Sequence, residues 1–79
     1  MGQVGQNLVG KRVKDARSKA QPPITQEELS KRLSKLGVSI DRAGVAKIET
    51  GIRSVLDFEL VTIAKALGVK VTWLLGLKE

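Results

Sequence analysis

Residues 41–50 carry the most distinctive arrangement of charged and small side chains in the chain. When they are placed at steps of about 100° around a helix, they separate into two arcs. The first arc is apolar or capping and contains Asp41, Gly44, Val45 and Ile48. The second is basic or small, has no acid, and contains Arg42, Ala43, Ala46, Lys47 and Thr50. An ordinary solvent-facing helix mixes acids with its cations for i, i+4 pairing. Cations separated by small side chains instead favour close approach to an anionic surface, as for a helix in the major groove of DNA.

The composition excludes several kinds of reactive site. The chain contains neither Cys nor His, which excludes disulfides, thiolate chemistry, the common zinc sites and the catalytic triads that need these residues. No close pair of carboxylates suggests a general base. We therefore expect no enzymatic activity, no metal and no cofactor.

The charge of the chain is unevenly distributed. Its 79 residues include 14 Lys and Arg but only 8 Asp and Glu, for a net charge of +6. Residues 1–53 hold 11 cations and 5 acids, whereas residues 54–79 hold 3 of each. This pattern suggests a surface for a polyanion beside a packing surface. Charge alone leaves an ordinary domain with solvated lysines equally open.

Helical periodicity recurs along the chain, which is of a length for one domain, residues 1–79. The spacing of apolar residues predicts a first helix from about Asn7 to Ala20. Thr25 to Glu28 has the pattern of a capping box and starts a second helix with an apolar stripe of Leu29, Leu33 and Leu36. The third helix runs over 41–50, after an Asp41 cap and before Gly51.

The neutral C-terminal third supplies further helices over about 56–76. Asp57 or Ser54 is expected to cap the first of these, and Thr72 the last. This segment contains more apolar residues than one small core obviously needs to bury. We expect some of them to form a two-fold dimer seam, namely Val71, Trp73, Leu74 and Leu77.

The length and position of the apolar runs indicate where in the cell the protein is expected. The longest are only a few residues, far short of the roughly 20 that cross a bilayer. The cations near the N-terminus follow the apolar residues, the wrong order for a signal peptide. We expect a cytoplasmic protein with no membrane partner.

Four segments resemble, in order and near the right spacing, the phage repressor/Cro (XRE-like) helix-turn-helix family. They are residues 25–30, TQEELS; residues 45–51, VAKIETG; residues 60–69, ending in IAKALGV; and residues 71–75, VTWLL. The resemblance covers about residues 8–76 and implies an all-α, lambda-repressor-like bundle of five helices. Its helix-turn-helix would span about 25–51, and such proteins usually bind DNA as dimers. The stretch from Gln26 to Arg42 is roughly five residues longer than the commonest family spacing.

The resemblance also implies roles for single residues. Gln26, the first residue of the second helix, would bind a backbone phosphate, as would Thr50 and Arg53. Arg42 and Ala43 would read bases, for example guanine and a thymine methyl, with Lys47 the next base-facing position. Ala43 is equally compatible with a small residue that has no contact.

Arg17 and Glu49 occupy positions that, in the family, hold a partly buried ion pair between the first and third helices. Its role would be to fix the orientation of the third helix, and loss of one partner would strand a charge. The alternative is two exposed charges that contribute little.

These features predict a sequence-specific, double-stranded DNA-binding transcriptional regulator, a repressor and homodimer. The alternative is a protein-interaction module, antitoxin-like or polymerase-associated, that uses the C-terminal apolar patch. RNA binding is less favoured, because the chain lacks the stacking aromatics that single-strand readers use.

Overall fold

The computed structural model describes residues 9–77, which form five α-helices and no strand. The helices are α1 (Gly10–Lys19), α2 (Gln26–Lys35), α3 (Arg42–Glu49), α4 (Asp57–Leu67) and α5 (Val71–Leu74). The all-α, five-helix prediction is confirmed. The predicted start of the first helix, at about Asn7, lies outside the described residues. None of the described helices is both long and apolar enough to cross a membrane.

One apolar core joins all five helices. Each helix contributes side chains that are almost fully buried, among them Val13, Leu29, Leu33, Val45, Ile48, Ile63 and Leu74. α3 packs against α1 and α2, while α4 packs against α1, α2 and α5. Full burial of such a side chain contributes about 1.5–3 kcal/mol to stability. α3 is therefore held on its inner side by two helices.

The start of α2 follows only half of the predicted capping box. The Thr25 hydroxyl accepts the Glu28 backbone N–H at 3.0 Å, as expected. The Glu28 carboxylate does not return to the Thr25 backbone but accepts from Arg32 Nε at 3.2 Å, one turn further along the helix. Ile24 and Leu29, on either side of the cap, are both buried.

The predicted apolar stripe of α2 is wrong at Leu36, whose side chain is exposed. The helix ends at Lys35, so Leu36 lies where the chain turns away from the core. Two residues of the α2–α3 turn, Val38 and Ile40, enter the core instead.

The long α2–α3 turn is pinned at Ile40. The Ser30 hydroxyl donates to the Ile40 carbonyl at 2.7 Å, which ties the turn to α2. On the other side, Ile40 Cγ2 lies only 2.8 Å from the place where a Cβ on Gly44 would stand. A residue with a side chain at position 44 would push the turn away from α3. The glycine thus allows the lengthened turn to pack directly on the start of α3.

The helix starts after Gly51 differ from those predicted. α4 follows Leu56, whose backbone N–H is accepted by Glu59 Oε1 at 3.0 Å. Asp57 accepts only the N–H of its neighbour Phe58, at 2.6 Å, so Glu59 satisfies the start of this helix. α5 begins at Val71 after Lys70, two residues earlier than a Thr72 cap requires.

Candidate nucleic-acid interface

The outer face of α3 consists of Arg42, Ala43, Ala46, Lys47 and Thr50. Val45 and Ile48, on the opposite side, are each 1% exposed, which fixes the rotation of the helix about its axis. On the outer face Ala46 is half-buried, and the other four residues are exposed. Within residues 9–77, neither the Arg42 side chain nor the Lys47 side chain makes a hydrogen bond or an ion pair. Two cations separated by methyl groups are therefore available to an anionic ligand.

The start of α3 is set by Asp41, as the sequence predicts. Asp41 Oδ1 accepts the Gly44 backbone N–H at 2.8 Å, which satisfies one of the free donors at the helix start. Arg42 and Ala43 are therefore the first two residues of the helix. Their side chains lie at its N-terminal end, where a recognition helix contacts base edges.

Thr50 marks the end of the helix, and Gly51 follows with a φ of +83° that stops it. The Thr50 hydroxyl lies within hydrogen-bond distance of two backbone carbonyls, Ala46 at 3.2 Å and Lys47 at 3.3 Å. Its proton is thus directed at the helix. A contact with phosphate, as predicted for Thr50, would require the hydroxyl to rotate.

Gln26 is the first residue of α2 and is half-buried. Its side-chain amide donates from Nε2 to Glu49 Oε1 at 3.0 Å, a contact that the sequence did not predict. An amide nitrogen carries two protons, so one remains for a second acceptor. The backbone N–H groups of the first turn of a helix also lack partners within the helix. Together these donors suit a phosphate oxygen.

Arg17 and Glu49 form the buried ion pair that the resemblance implied. Arg17 Nε lies 2.7 Å from Glu49 Oε2, and Arg17 Nη2 lies 2.9 Å from Glu49 Oε1. The two side chains are 13% and 3% exposed. Arg17 Nη1 also donates to the Ile24 carbonyl at 3.0 Å. Arg17 therefore joins α1 both to the end of α3 and to the segment that leads into α2.

Arg53, a predicted phosphate contact, lies in the loop after α3 and is bonded within the protein. Its Nη1 and Nη2 donate to the two carboxylate oxygens of Glu59, each at 3.0 Å, and Nη1 also donates to the Ser54 carbonyl at 3.1 Å. The positions of Arg53 and Glu59 in the sequence did not predict this pair. One signal was available: Glu59 stands three residues after Leu56, where an acid can satisfy the start of α4.

The Arg53–Glu59 pair shifts the pKa of both groups. The hydrogen bond from Arg53 lowers the pKa of the Glu59 carboxyl below its ordinary value, and it outweighs the opposing effect of burial. The same bond raises the pKa of the Arg53 guanidinium. The Glu59 side chain is only 7% exposed, so the carboxylate stays charged because it is paired.

The predicted dimer seam is largely occupied within the monomer. Leu74 is fully buried in the core and presents no surface to a second copy. Val71 and Trp73 are half-buried, and the Arg12 guanidinium lies 5.1 Å from the centre of the Trp73 ring. Of the four predicted residues, only Leu77 is exposed.

Two comparisons with known proteins bear on the family of the chain. No curated protein matches the chain. A helix-turn-helix family model matches residues 24–74, about two thirds of the chain. The match begins just before α2 and ends with α5, so it includes the Gln26–Glu49 contact and the outer face of α3. The chain therefore belongs to the XRE-like, Cro/C1-type helix-turn-helix family of DNA-binding regulators.

Proposed function

We propose that this protein is a transcriptional repressor that binds specific duplex sites as a homodimer. The observation that carries the proposal is the outer face of α3, which is exposed, basic and without acids. Its inner side is locked into the core by Val45 and Ile48, so the cations project in a defined direction.

Each residue of this face has a chemical role in the proposal. Arg42 donates bidentately to guanine O6 and N7, the commonest specific contact in the major groove. Ala43 packs on a thymine methyl, and Lys47 reaches a base edge one turn further along. Ala46 keeps the centre of the face small enough for close approach to the groove floor.

Phosphate contacts position the helix on the duplex. Gln26 is the strongest candidate, because its amide is already held in place and lies at the positive end of α2. Thr50 directly follows the last residue of α3, Glu49, to which Gln26 is bonded. Arg53 is also proposed to contact phosphate. Its bonds to Glu59 in addition hold the loop that follows α3. These contacts fix register, while the bases supply specificity.

A homodimer follows from the size of the reading surface. One recognition helix contacts only a few base pairs, and two copies about a two-fold axis would read half-sites about 34–36 Å apart. Repression is the mode this surface supports best, because occupancy of a promoter site blocks polymerase without any further contact.

Selection of binding sites from random duplex DNA tests the proposal. We expect enrichment of a palindromic sequence, and binding to the selected duplex at least roughly a thousandfold tighter than to a scrambled one. A reporter gene controlled by the selected site should then fall in expression when the protein is supplied. Failure to enrich any sequence would contradict specific recognition, and a rise in expression would contradict repression.

A further inference from the structure

The exposed apolar side chains of the protein concentrate around α4. Within residues 9–77 the exposed large apolar residues are Leu36, Ile52, Leu56, Phe58, Val61 and Leu77. Four of these six fall between Ile52 and Val61, in the loop after α3 and on the first half of α4. Of these six, Leu77 alone comes from the described part of the C-terminal tail. The surface best able to bury apolar area against another molecule is therefore on α4 rather than on α5.

One side of α4 is buried and the other is open. Glu59, Ile63, Ala64 and Ala66 face inward and are almost fully buried. The opposite side, here called the α4 face, consists of Asp57, Phe58, Val61 and Lys65, all exposed. At about 100° per residue these four positions fall within one arc of the helix. They form a continuous stripe along it.

Charge is arranged symmetrically along the α4 face. The charged residues of α4 are Asp57, Glu59 and Lys65, and Glu59 is buried against Arg53. The face therefore has one acid at its start, one base at its end and apolar side chains between them. Asp57 and Lys65 each lie four residues from Val61, a rise of about 6 Å along the helix. Val61 is thus the midpoint between opposite charges.

This pattern is complementary to itself when one copy is turned end to end. In a two-fold interface, residue i contacts residue j of the other copy, and j contacts i. If the axis passes beside Val61, each Val61 meets Val61 of the second copy. Asp57 then faces Lys65 of the second copy at both ends of the seam. Phe58 lies beside Val61 and adds ring area.

We propose that the α4 face is the homodimer interface, formed by antiparallel packing of two α4 helices about an axis at Val61. The proposal deepens the function proposed above and rests on its homodimer. A second copy is the occupant because the charges match under a two-fold rotation, which an unrelated protein would have no need to satisfy. Charge pairs of this kind fix register and partner choice.

The size of the face sets the strength of the dimer. A stable interface buries roughly 800 Å² per partner, more than four side chains of one short helix supply. The free protein therefore dimerises weakly. α4 follows α3 after a short loop, so a seam here couples the two recognition helices, and DNA that holds both half-sites tightens it.

An engineered disulfide tests the position of the axis. The chain has no natural cysteine, so Val61→Cys carries a single thiol. In the proposed dimer this thiol would lie opposite the same thiol of the second copy. Leu77→Cys is the matched control, because Val61 is 48% and Leu77 is 57% exposed. Under mild oxidation without DNA, we expect the first variant to form a covalent dimer at least roughly tenfold faster. Equal rates, or faster linkage through position 77, would overturn the interface.

Charge reversal tests the register. Asp57→Lys and Lys65→Asp each place like charges opposite each other at both ends of the seam. We expect each to weaken the dimer roughly three- to tenfold by sedimentation equilibrium, and the double variant, with unchanged net charge, to restore it. Circular dichroism checks folding, since Asp57 lies at the helix start. A folded double variant that stays as weak as the singles would overturn the pairing.

The proposed interface and the proposed function are tested by different measurements, so either can be contradicted without the other. Cross-linking and sedimentation are measured without DNA, and duplex binding is measured by itself. A protein that dimerises through Val61 but binds no duplex would overturn the proposed function and leave the interface. One that binds two half-sites without cooperativity, and does not cross-link through position 61, would overturn the interface and leave DNA binding.

Discussion

The side-chain amide of Gln26 lies 3.0 Å from the Glu49 carboxylate, so the first residue of α2 is bonded to the last residue of α3. The same carboxylate accepts two hydrogen bonds from Arg17 of α1. One buried acid therefore links three helices. It also holds the residue proposed to contact phosphate in a fixed position relative to the helix proposed to read bases.

Removal of the Glu49 charge should destabilise the whole domain. In Glu49→Gln, Arg17 keeps its buried position but loses its counter-charge, and we expect a loss of about 3 kcal/mol in the free energy of unfolding. Urea denaturation measures this loss. Glu27→Gln, an exposed acid on α2, is the control and should change stability by no more than about 0.5 kcal/mol. Equal effects of the two substitutions would contradict the role of Glu49.

Arg42→Ala should change which sequences are bound. Loss of a bidentate guanine contact is expected to cost about 1–3 kcal/mol per half-site and to relax preference at one base pair. Titration of a set of duplexes with single base-pair changes measures both effects. Lys35→Ala, which removes an exposed cation at the end of α2, should leave the pattern of preferences intact. A uniform loss in Arg42→Ala would show that Arg42 does not read a base.

Gln26→Ala should weaken binding to every duplex by the same factor, because a phosphate contact carries no base information. The same set of duplexes tests this, with specific and scrambled sites compared at equal salt. A change in the ranking of sequences would contradict the phosphate assignment. Unfolding measurements on the same variant separate a lost DNA contact from any weakening of the Glu49 network.

Binding to duplex DNA should weaken steeply as salt increases. The excess charge of +6 lies within residues 1–53, which include the outer face of α3. Each phosphate neutralised should contribute about −0.9 to the slope of log affinity against log salt concentration. Because Lys47 is proposed to contact a base edge and not a phosphate, Lys47→Ala should reduce the slope by less than the one unit expected for loss of a phosphate contact. A salt-independent affinity would be incompatible with DNA binding by this surface.

Stability should depend on pH through Glu59. The folded protein lowers the pKa of this carboxyl, so its contribution is complete above the unfolded pKa of about 4.3. The contribution disappears as the pH falls through the lower, folded pKa. At about pH 7 we expect Glu59→Gln to unfold more easily by about 1–3 kcal/mol, and the difference should shrink in acid. Denaturation midpoints across the pH range measure it, and a constant difference would contradict the shift.

Local sequence signals were sufficient to predict the starts of α2 and α3, the end of α3 and its two arcs. The Thr25 and Asp41 caps depend on atoms three residues away, and Gly51 stops α3 through its own backbone conformation. The helical period then determined that Val45 and Ile48 point inward, and that Arg42 and Lys47 therefore point outward. Such interactions are encoded within one or two turns of chain, so a single sequence can reveal them.

Tertiary structure decided which apolar and polar side chains found partners. Leu36 was expected in the core but is exposed, whereas Val38 and Ile40 are buried, because α2 ends where the chain must turn towards α3. Gln26 and Arg53 were both predicted to contact phosphate, yet each is bonded to an acid brought close by the folding of another segment. Leu74 is buried in the core, whereas Phe58 and Val61 are exposed. These outcomes depend on distances between helices, which the spacing of residues within one helix does not contain.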